Sequence, residues 1–193
     1  MKRCYDIVLS GLGLLLLLPL LAILGGAVKA GDWGPVFYRQ IRIGRYGRPF
    51  RICKFRTMRQ GSDREGLVIT AAGDARVTSV GRWLRRTKLD ELPQLWNVLV
   101  GEMSLVGPRP EVPRYVSHYT PGQREVLQLM PGITDVASLE FRSEERLLAM
   151  AGNVEEFYVT QCIPRKIELN LEYARRASLW NDTKVILRTL TGC

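Results

Sequence analysis

With 193 residues, the chain has room for one well-packed domain and too little for two large ones. Lys and Arg number 28 against 19 Asp and Glu, a net charge of +9 that favours anionic partners: phosphorylated substrates, acidic headgroups or nucleic acid. The only histidine, His118, lies in a polar stretch, and the four cysteines lack C-x-x-C spacing, which argues against His-dependent triads, a zinc site or a disulfide scaffold and favours reduced thiols.

Ile7 to Val28 carries no charged residue. As a straight helix this segment reaches roughly 33 Å, enough to cross a hydrocarbon core of about 30 Å. A signal peptide, a transmembrane span and a re-entrant hairpin compete for it. A signal peptide would be shorter, and cleavage after Ala30 would leave Cys53, Cys162 and Cys193, an odd set for a secreted protein. A simple span must accommodate Pro19 at its middle and basic residues on both flanks. Lys2 and Arg3 precede the segment, and Lys29, Arg39, Arg42, Arg45 and Arg48 follow it, so the positive-inside tendency keeps both flanks cytoplasmic. Interior proline costs about 3 kcal/mol in a helix and frees a carbonyl. The expectation is therefore a re-entrant helix-hairpin over residues 1–30, broken at Pro19 into two short halves, with the body in residues 31–193.

After Gly31 the composition turns polar. Val36–Tyr38 and Pro49–Phe55 alternate apolar and polar residues around IRIGRYGR, whose Gly44 and Gly47 suit a turn, so a β-hairpin is predicted. Arg59–Ala75, rich in Gly, Asp, Arg and Thr, reads as a mobile loop over the site or a plain surface excursion. Val80–Arg86 reads as a short amphipathic helix with Trp83 and Leu84 on its apolar side. Helix formers dominate Glu144–Ala151 and Arg165–Arg175, and Leu179–Leu190 suits a core or an interfacial helix. Trp83, Trp96 and Trp180 fit either a core or a membrane interface.

The densest chemistry lies in residues 85–110, RRTKLDELPQLWNVLVGEMSLVGPRP. Asp90 and Glu91 sit there among Arg82, Arg85, Arg86, Lys88 and Arg109. Pro93 is well placed in a helix's first turn, so a helix from about Leu92 to Leu99 would put both carboxylates at its N-terminus, an end that also favours phosphates. An ionised carboxylate beside a metal ligand and ringed by arginines suits phosphoryl transfer. A solvated helix start with ordinary ion pairs is the competing reading. The residues alone leave the roles of Asp90 and Glu91 interchangeable.

Four ordered blocks resemble the bacterial sugar transferases, the monotopic phosphoglycosyl transferase family: Phe37–Met58 (FYRQIRIGRYGRPFRICKFRTM), Asp74–Thr87 (DARVTSVGRWLRRT), LDELPQLWNVLVGEMSLVGPRP and Pro131–Thr134 (PGIT). The resemblance covers nearly the whole chain. It implies an α/β, mostly helical, single compact cytosolic domain with an N-terminal re-entrant membrane helix-hairpin. It implies transfer of a sugar 1-phosphate from a UDP-sugar to a polyprenol (undecaprenyl) phosphate with release of UMP, an early step in glycoconjugate synthesis at the cytoplasmic face of the inner membrane. It also implies Mg²⁺, a covalent phospho-sugar intermediate on Asp90, Glu91 as the metal ligand, and Lys54, Arg85, Arg109 and Arg142 as phosphate- or nucleotide-binding groups. Lys2, Arg3 and Asp6 match the family's entry motif. Leu18-Pro19 stands where the family breaks its membrane helix at a Ser-Pro pair, and Met130, Asp135, Ser138, Glu140 and Asn170 depart from the usual pattern, which points to a different sugar pocket.

Two other classes compete. A basic nucleic-acid-binding protein would use VGRWLRRTK as an electrostatic helix, but it leaves the apolar segment unexplained and no recognition motif is present, so nucleic acid is not an expected partner. A non-catalytic membrane adaptor could retain the fold, against which stand the intact Asp90, Glu91, Lys54 and Arg109. Sugar identity, pathway and oligomeric state are not written in the chain.

Overall fold

A computed structural model describes residues 1–62, 74–142, 144–149 and 152–191, without the side chains of residues 145, 146 and 149. The first element, α1 (Lys2–Asp32), is one helix long and apolar enough to cross a membrane. Pro19 lies inside it without a non-helical residue, so the expected division into two short halves is corrected to one uninterrupted helical element. The physical reason is context: the leucines around Pro19 are strong helix formers, and tertiary contacts hold the helix on both sides of it.

Those contacts fasten both ends of α1 to the same body. At the start, Lys2 pairs with Asp182, and Arg3 donates to the carbonyls of Val98 and Leu99. Buried Asp6 accepts from Ser104 Oγ and Leu105 N, each at 3.1 Å. At the far end, Leu24 and Val28 pack with Phe55 and Leu84, and Asp32 is bridged to Arg56. Between the two attachments Leu12, Leu15, Leu16, Leu18 and Ile23 stand exposed.

The chain then forms an antiparallel hairpin, β1 (Phe37–Ile43) with β2 (Pro49–Phe55), registered so that Tyr38 faces Lys54 and Arg42 faces Phe50. The first strand outruns its sequence prediction because alternation continues through Ile41, Arg42 and Ile43. Of the expected loop Arg59–Ala75, residues 63–73 lie outside the described residues.

Thr78 caps α2 (Ser79–Thr87), its hydroxyl accepting from Gly81 N at 2.9 Å. Gly81 must lack a side chain, because a Cβ there would meet the Thr57 carbonyl oxygen at 2.0 Å. A 3₁₀ turn, Leu89–Glu91, leads through Pro93 into α3 (Gln94–Val100), slightly later than the predicted start at Leu92. Asn97 ties α3 to β2 by accepting from Cys53 N at 2.9 Å and donating to Arg51 O at 2.8 Å.

A second, parallel pair joins β3 (Ser104–Val106) to β4 (Gly132–Thr134). Between them lie α4 (Pro113–Val116) and a 3₁₀ helix, Gln123–Gln128. Next come α5 (Val136–Glu140), α6 (Glu144–Ala149) and α7 (Val154–Phe157). A π-helical turn, Tyr158–Cys162, enters α8 (Ile163–Arg175), and α9 (Leu179–Thr191) closes the body. Tyr115, Tyr158, Ile163 and Ile167 belong to one core cluster, while Ile52, Val98, Met103 and Val185 belong to another. Trp83, Trp96 and Trp180 are 48%, 55% and 68% exposed, so none is a core residue. His118 is exposed, as expected.

Candidate active site

The KFRTM, LDE and GPRP blocks converge on one cleft of about 530 Å³. The hairpin presents Lys54, α2 presents Arg85, the 3₁₀ turn presents Asp90 and Glu91, and the loop after β3 presents Arg109. Positioning of that last loop is backbone against backbone. A Cβ on Gly107 would meet the Met130 carbonyl oxygen at 2.2 Å, and one on Gly132 would meet Gly107 N at 2.1 Å. The GPRP and PGIT turns can approach this closely only as glycines. Asp135 then fixes the loop, accepting from Arg109 N at 3.1 Å and from Asn170 Nδ2 at 2.8 Å.

Glu91 is caged by cations. Its Oε1 accepts from Lys54 Nζ at 2.9 Å and from Arg109 Nη2, and its Oε2 accepts from Arg109 Nη1 at 3.1 Å. Burial pushes the Glu91 carboxyl up, but the charges and hydrogen bonds of Arg109 and Lys54 outweigh it and hold the group well below the usual carboxylate range. Burial lowers the Lys54 ammonium to about 8 despite Glu91 beside it. The Glu91 charge raises the Arg109 guanidinium above its ordinary value.

Asp90 is the contrasting carboxylate. It is buried, and its Oδ1 has no hydrogen-bond partner among the described residues. Burial and the neighbouring Glu91 charge raise its pKa, against the opposing charges of Lys54, Lys88 and Arg85. A carboxylate that makes no ion pair among the described residues is suited to nucleophilic attack, and the surrounding cations are suited to phosphate oxygens. Arg85 is held toward the cleft by its Nε bond to Thr57 Oγ1 at 2.8 Å.

Arg142 lies elsewhere. It is exposed, donates to the Arg188 carbonyl at 2.7 Å, and does not line the cleft. Other cleft residues were not singled out from sequence: Tyr38, Gln40, Arg42 and Arg59. Strand alternation carried a usable signal, because the register that pairs Tyr38 with Lys54 puts Gln40 and Arg42 on the same face. Arg42 donates to Gln40 Oε1 and to Pro110 O, linking that strand to the loop that bears Arg109.

Among the described residues no three Asp, Glu, His or Cys side chains gather as a metal cage. The two adjacent carboxylates are hard-oxygen donors of the kind magnesium takes, but both Glu91 oxygens are bonded to Lys54 and Arg109, so an ion there would have to displace those contacts.

A family profile described as bacterial sugar transferase matches residues 1–193. The chain belongs to the bacterial sugar transferase family. It is 38% identical over 98% of its length to a UDP-glucose:undecaprenyl-phosphate glucose-1-phosphate transferase of Klebsiella pneumoniae, of which it spans 39%. A protein of the same description from Caulobacter vibrioides is 38% identical over 98% of this chain and 68% of its own length. A UDP-N-acetylgalactosamine-undecaprenyl-phosphate N-acetylgalactosaminephosphotransferase of Aeromonas hydrophila is 35% identical over 98% of this chain and 42% of its own. The chain thus spans about two fifths of several curated relatives.

Proposed function

We propose that this sugar transferase moves a sugar 1-phosphate from a UDP-sugar to undecaprenyl phosphate, with Asp90 as covalent nucleophile. The observation that carries the reading is the contrast between Asp90, buried in the cleft with no ion pair among the described residues, and the neighbouring Glu91, caged by Lys54 and Arg109. An Asp90 oxygen attacks the sugar-bearing phosphorus of the UDP-sugar. The new O–P bond forms as the bond to the UMP oxygen breaks, and UMP leaves with the electron pair. An oxygen of the polyprenol phosphate then attacks the same phosphorus and displaces Asp90, giving the polyprenyl-diphosphate sugar.

Lys54, Arg85 and Arg109 neutralise the phosphate oxygens during both displacements, and the Arg109 fork suits bidentate contact. Glu91 would hold Mg²⁺ with the substrate's phosphate oxygens, and the bound ion would supply further charge neutralisation on the diphosphate. The names of the relatives support the reaction class, and they include both glucose and N-acetylgalactosamine donors.

The apolar helix α1 supports a membrane placement. Its two ends are fastened to one body, while the leucines between them are exposed. A body on one side of a bilayer cannot hold both ends of a helix that passes straight through. A course in which the unbroken helix bends at Pro19, entering and leaving the cytoplasmic leaflet of the inner membrane, would satisfy both attachments and the basic flanks. That course places the cleft beside the leaflet that carries the lipid acceptor.

The test is incubation with UDP-glucose or UDP-N-acetylgalactosamine, Mg²⁺ and no lipid acceptor. A phospho-sugar mass on the peptide containing Asp90 is expected, discharged when undecaprenyl phosphate is added. An adduct on another residue, or turnover only when both substrates are present, would overturn the assignment.

A further inference from the structure

The side chain of Gln94 is the most anomalous polar group in the described structure. It is fully buried, yet neither its Oε1 nor its Nε2 has a hydrogen-bond partner among the described residues. A buried amide left this way bears its full desolvation cost, which a leucine or methionine of similar size would avoid. Asn97, on the same face of α3, shows the ordinary outcome, with both ends of its amide bonded to β2.

Backbone geometry points Gln94 at the nucleophile. The 3₁₀ turn Leu89–Glu91, helical Leu92 and Pro93, and α3 form a continuous right-handed path. Asp90 and Gln94 are therefore about one turn apart on one face. Side chains on such a path lean toward its N-terminus, which favours a Gln94 carboxamide directed at the turn that carries Asp90. The Asp90 Oδ1 is itself buried and without a partner among the described residues. Two complementary groups about one turn apart, an acceptor-only carboxylate and an N–H₂ donor, each without a partner among the described residues and not bonded to one another, could pair after a small side-chain movement.

We propose that Gln94 is a positioning residue for Asp90, donating an amide N–H to the carboxylate as Asp90 engages the sugar-bearing phosphorus. One Asp90 oxygen is thereby steadied while the other attacks, and the carboxylate keeps a single rotamer through both displacements. The inference rests on the reading of Asp90 as nucleophile.

The test is Gln94→Met, a near-isosteric change that removes the donor, in the full chain in lipid nanodiscs. The Asp90 adduct is first mapped in the parent protein; its absence there would defeat the nucleophile reading itself and the role of Gln94 with it. With the adduct present, kcat and the single-turnover rate of adduct formation should both fall about 10- to 100-fold in Gln94→Met, with KM for the UDP-sugar within about twofold of the parent. The thermal midpoint should hold or rise, because a buried unsatisfied amide has been replaced by apolar atoms. A structural glutamine would behave oppositely. Parent-like kcat, or a lowered midpoint with activity lost only in proportion to folded protein, would overturn the proposal.

Discussion

Gly132→Ala tests whether the GPRP and PGIT turns build the site by direct backbone contact. The added methyl would sit 2.1 Å from Gly107 N, 2.5 Å from Gly107 O and 2.7 Å from Gly107 Cα, where ordinary contact begins near 3.4 Å. No flexible side chain can yield, since all three of these neighbours are backbone, and Gly107 is itself pressed against the Met130 carbonyl. Overpacking of this kind typically costs about 1–3 kcal/mol, and an unyielding backbone puts this case near the upper value. For a chain of this length about 3 kcal/mol corresponds to a fall of roughly 6–12 °C in thermal midpoint. The relief available is separation of β3 from β4, which carries Arg109 away from Glu91. UMP release measured well below the midpoint should therefore also fall, by about tenfold or more if Arg109 is misplaced by about an ångström. Gly122→Ala, where a Cβ meets nothing within 4 Å, is the matched control and should be neutral or stabilised by up to about 1 kcal/mol. A Gly132→Ala protein with a midpoint within about 2 °C of the parent and full activity would refute the contact, since no smaller shift is consistent with the overlap.

Lys54, lowered to about 8 by burial, should give kcat/KM for the UDP-sugar an alkaline limb near that pH, because only the ammonium form attracts phosphate. Its folded pKa lies below the unfolded value, so the penalty on the charged form is present below about pH 8 and is relieved as pH rises toward 10.5; stability should not decline along that limb, and Lys54→Arg should remove it. Persistence of the limb in Lys54→Arg would assign it to another group. Asp6→Ala strips the acceptor from buried Ser104 Oγ and Leu105 N and should cost about 2–5 kcal/mol, read as a lowered denaturation midpoint in detergent. Cysteines introduced at Lys2 and Lys29, in a variant lacking the native cysteines, should both react in intact cells only with membrane-permeant reagents; labelling of position 2 by an impermeant reagent would show that α1 crosses the bilayer.

Much of the fold was legible locally. The charge-free run from Ile7 to Val28 marked an apolar helical segment, the amphipathic pattern of Val80–Arg86 and the position of Pro93 marked α2 and α3, and alternation about Gly44 and Gly47 announced the hairpin. Such signals are readable because helix periodicity, caps and turns are set within a few residues. The DE pair among arginines likewise advertised phosphate chemistry, and the resemblance of its surrounding block supplied roles that spacing left open.

Tertiary structure decided the rest. It placed Lys54, Arg85 and Arg109 around Asp90 and Glu91 while leaving Arg142 on the surface beside Arg188, although all four were implied by the same family resemblance. It carried α1 through Pro19, because attachments at both ends hold a helix that local propensity alone would break. It also distinguished Asn97, bonded at every turn, from Gln94, bonded nowhere among the described residues, two amides that look alike as letters in one helix. Burial and pairing of a polar group depend on what segments distant in sequence bring to it, and Asp6 meeting Ser104 or Lys2 meeting Asp182 leaves no trace in either neighbourhood. The candidate groups were legible in the sequence, and long-range packing determined which of them share a cleft.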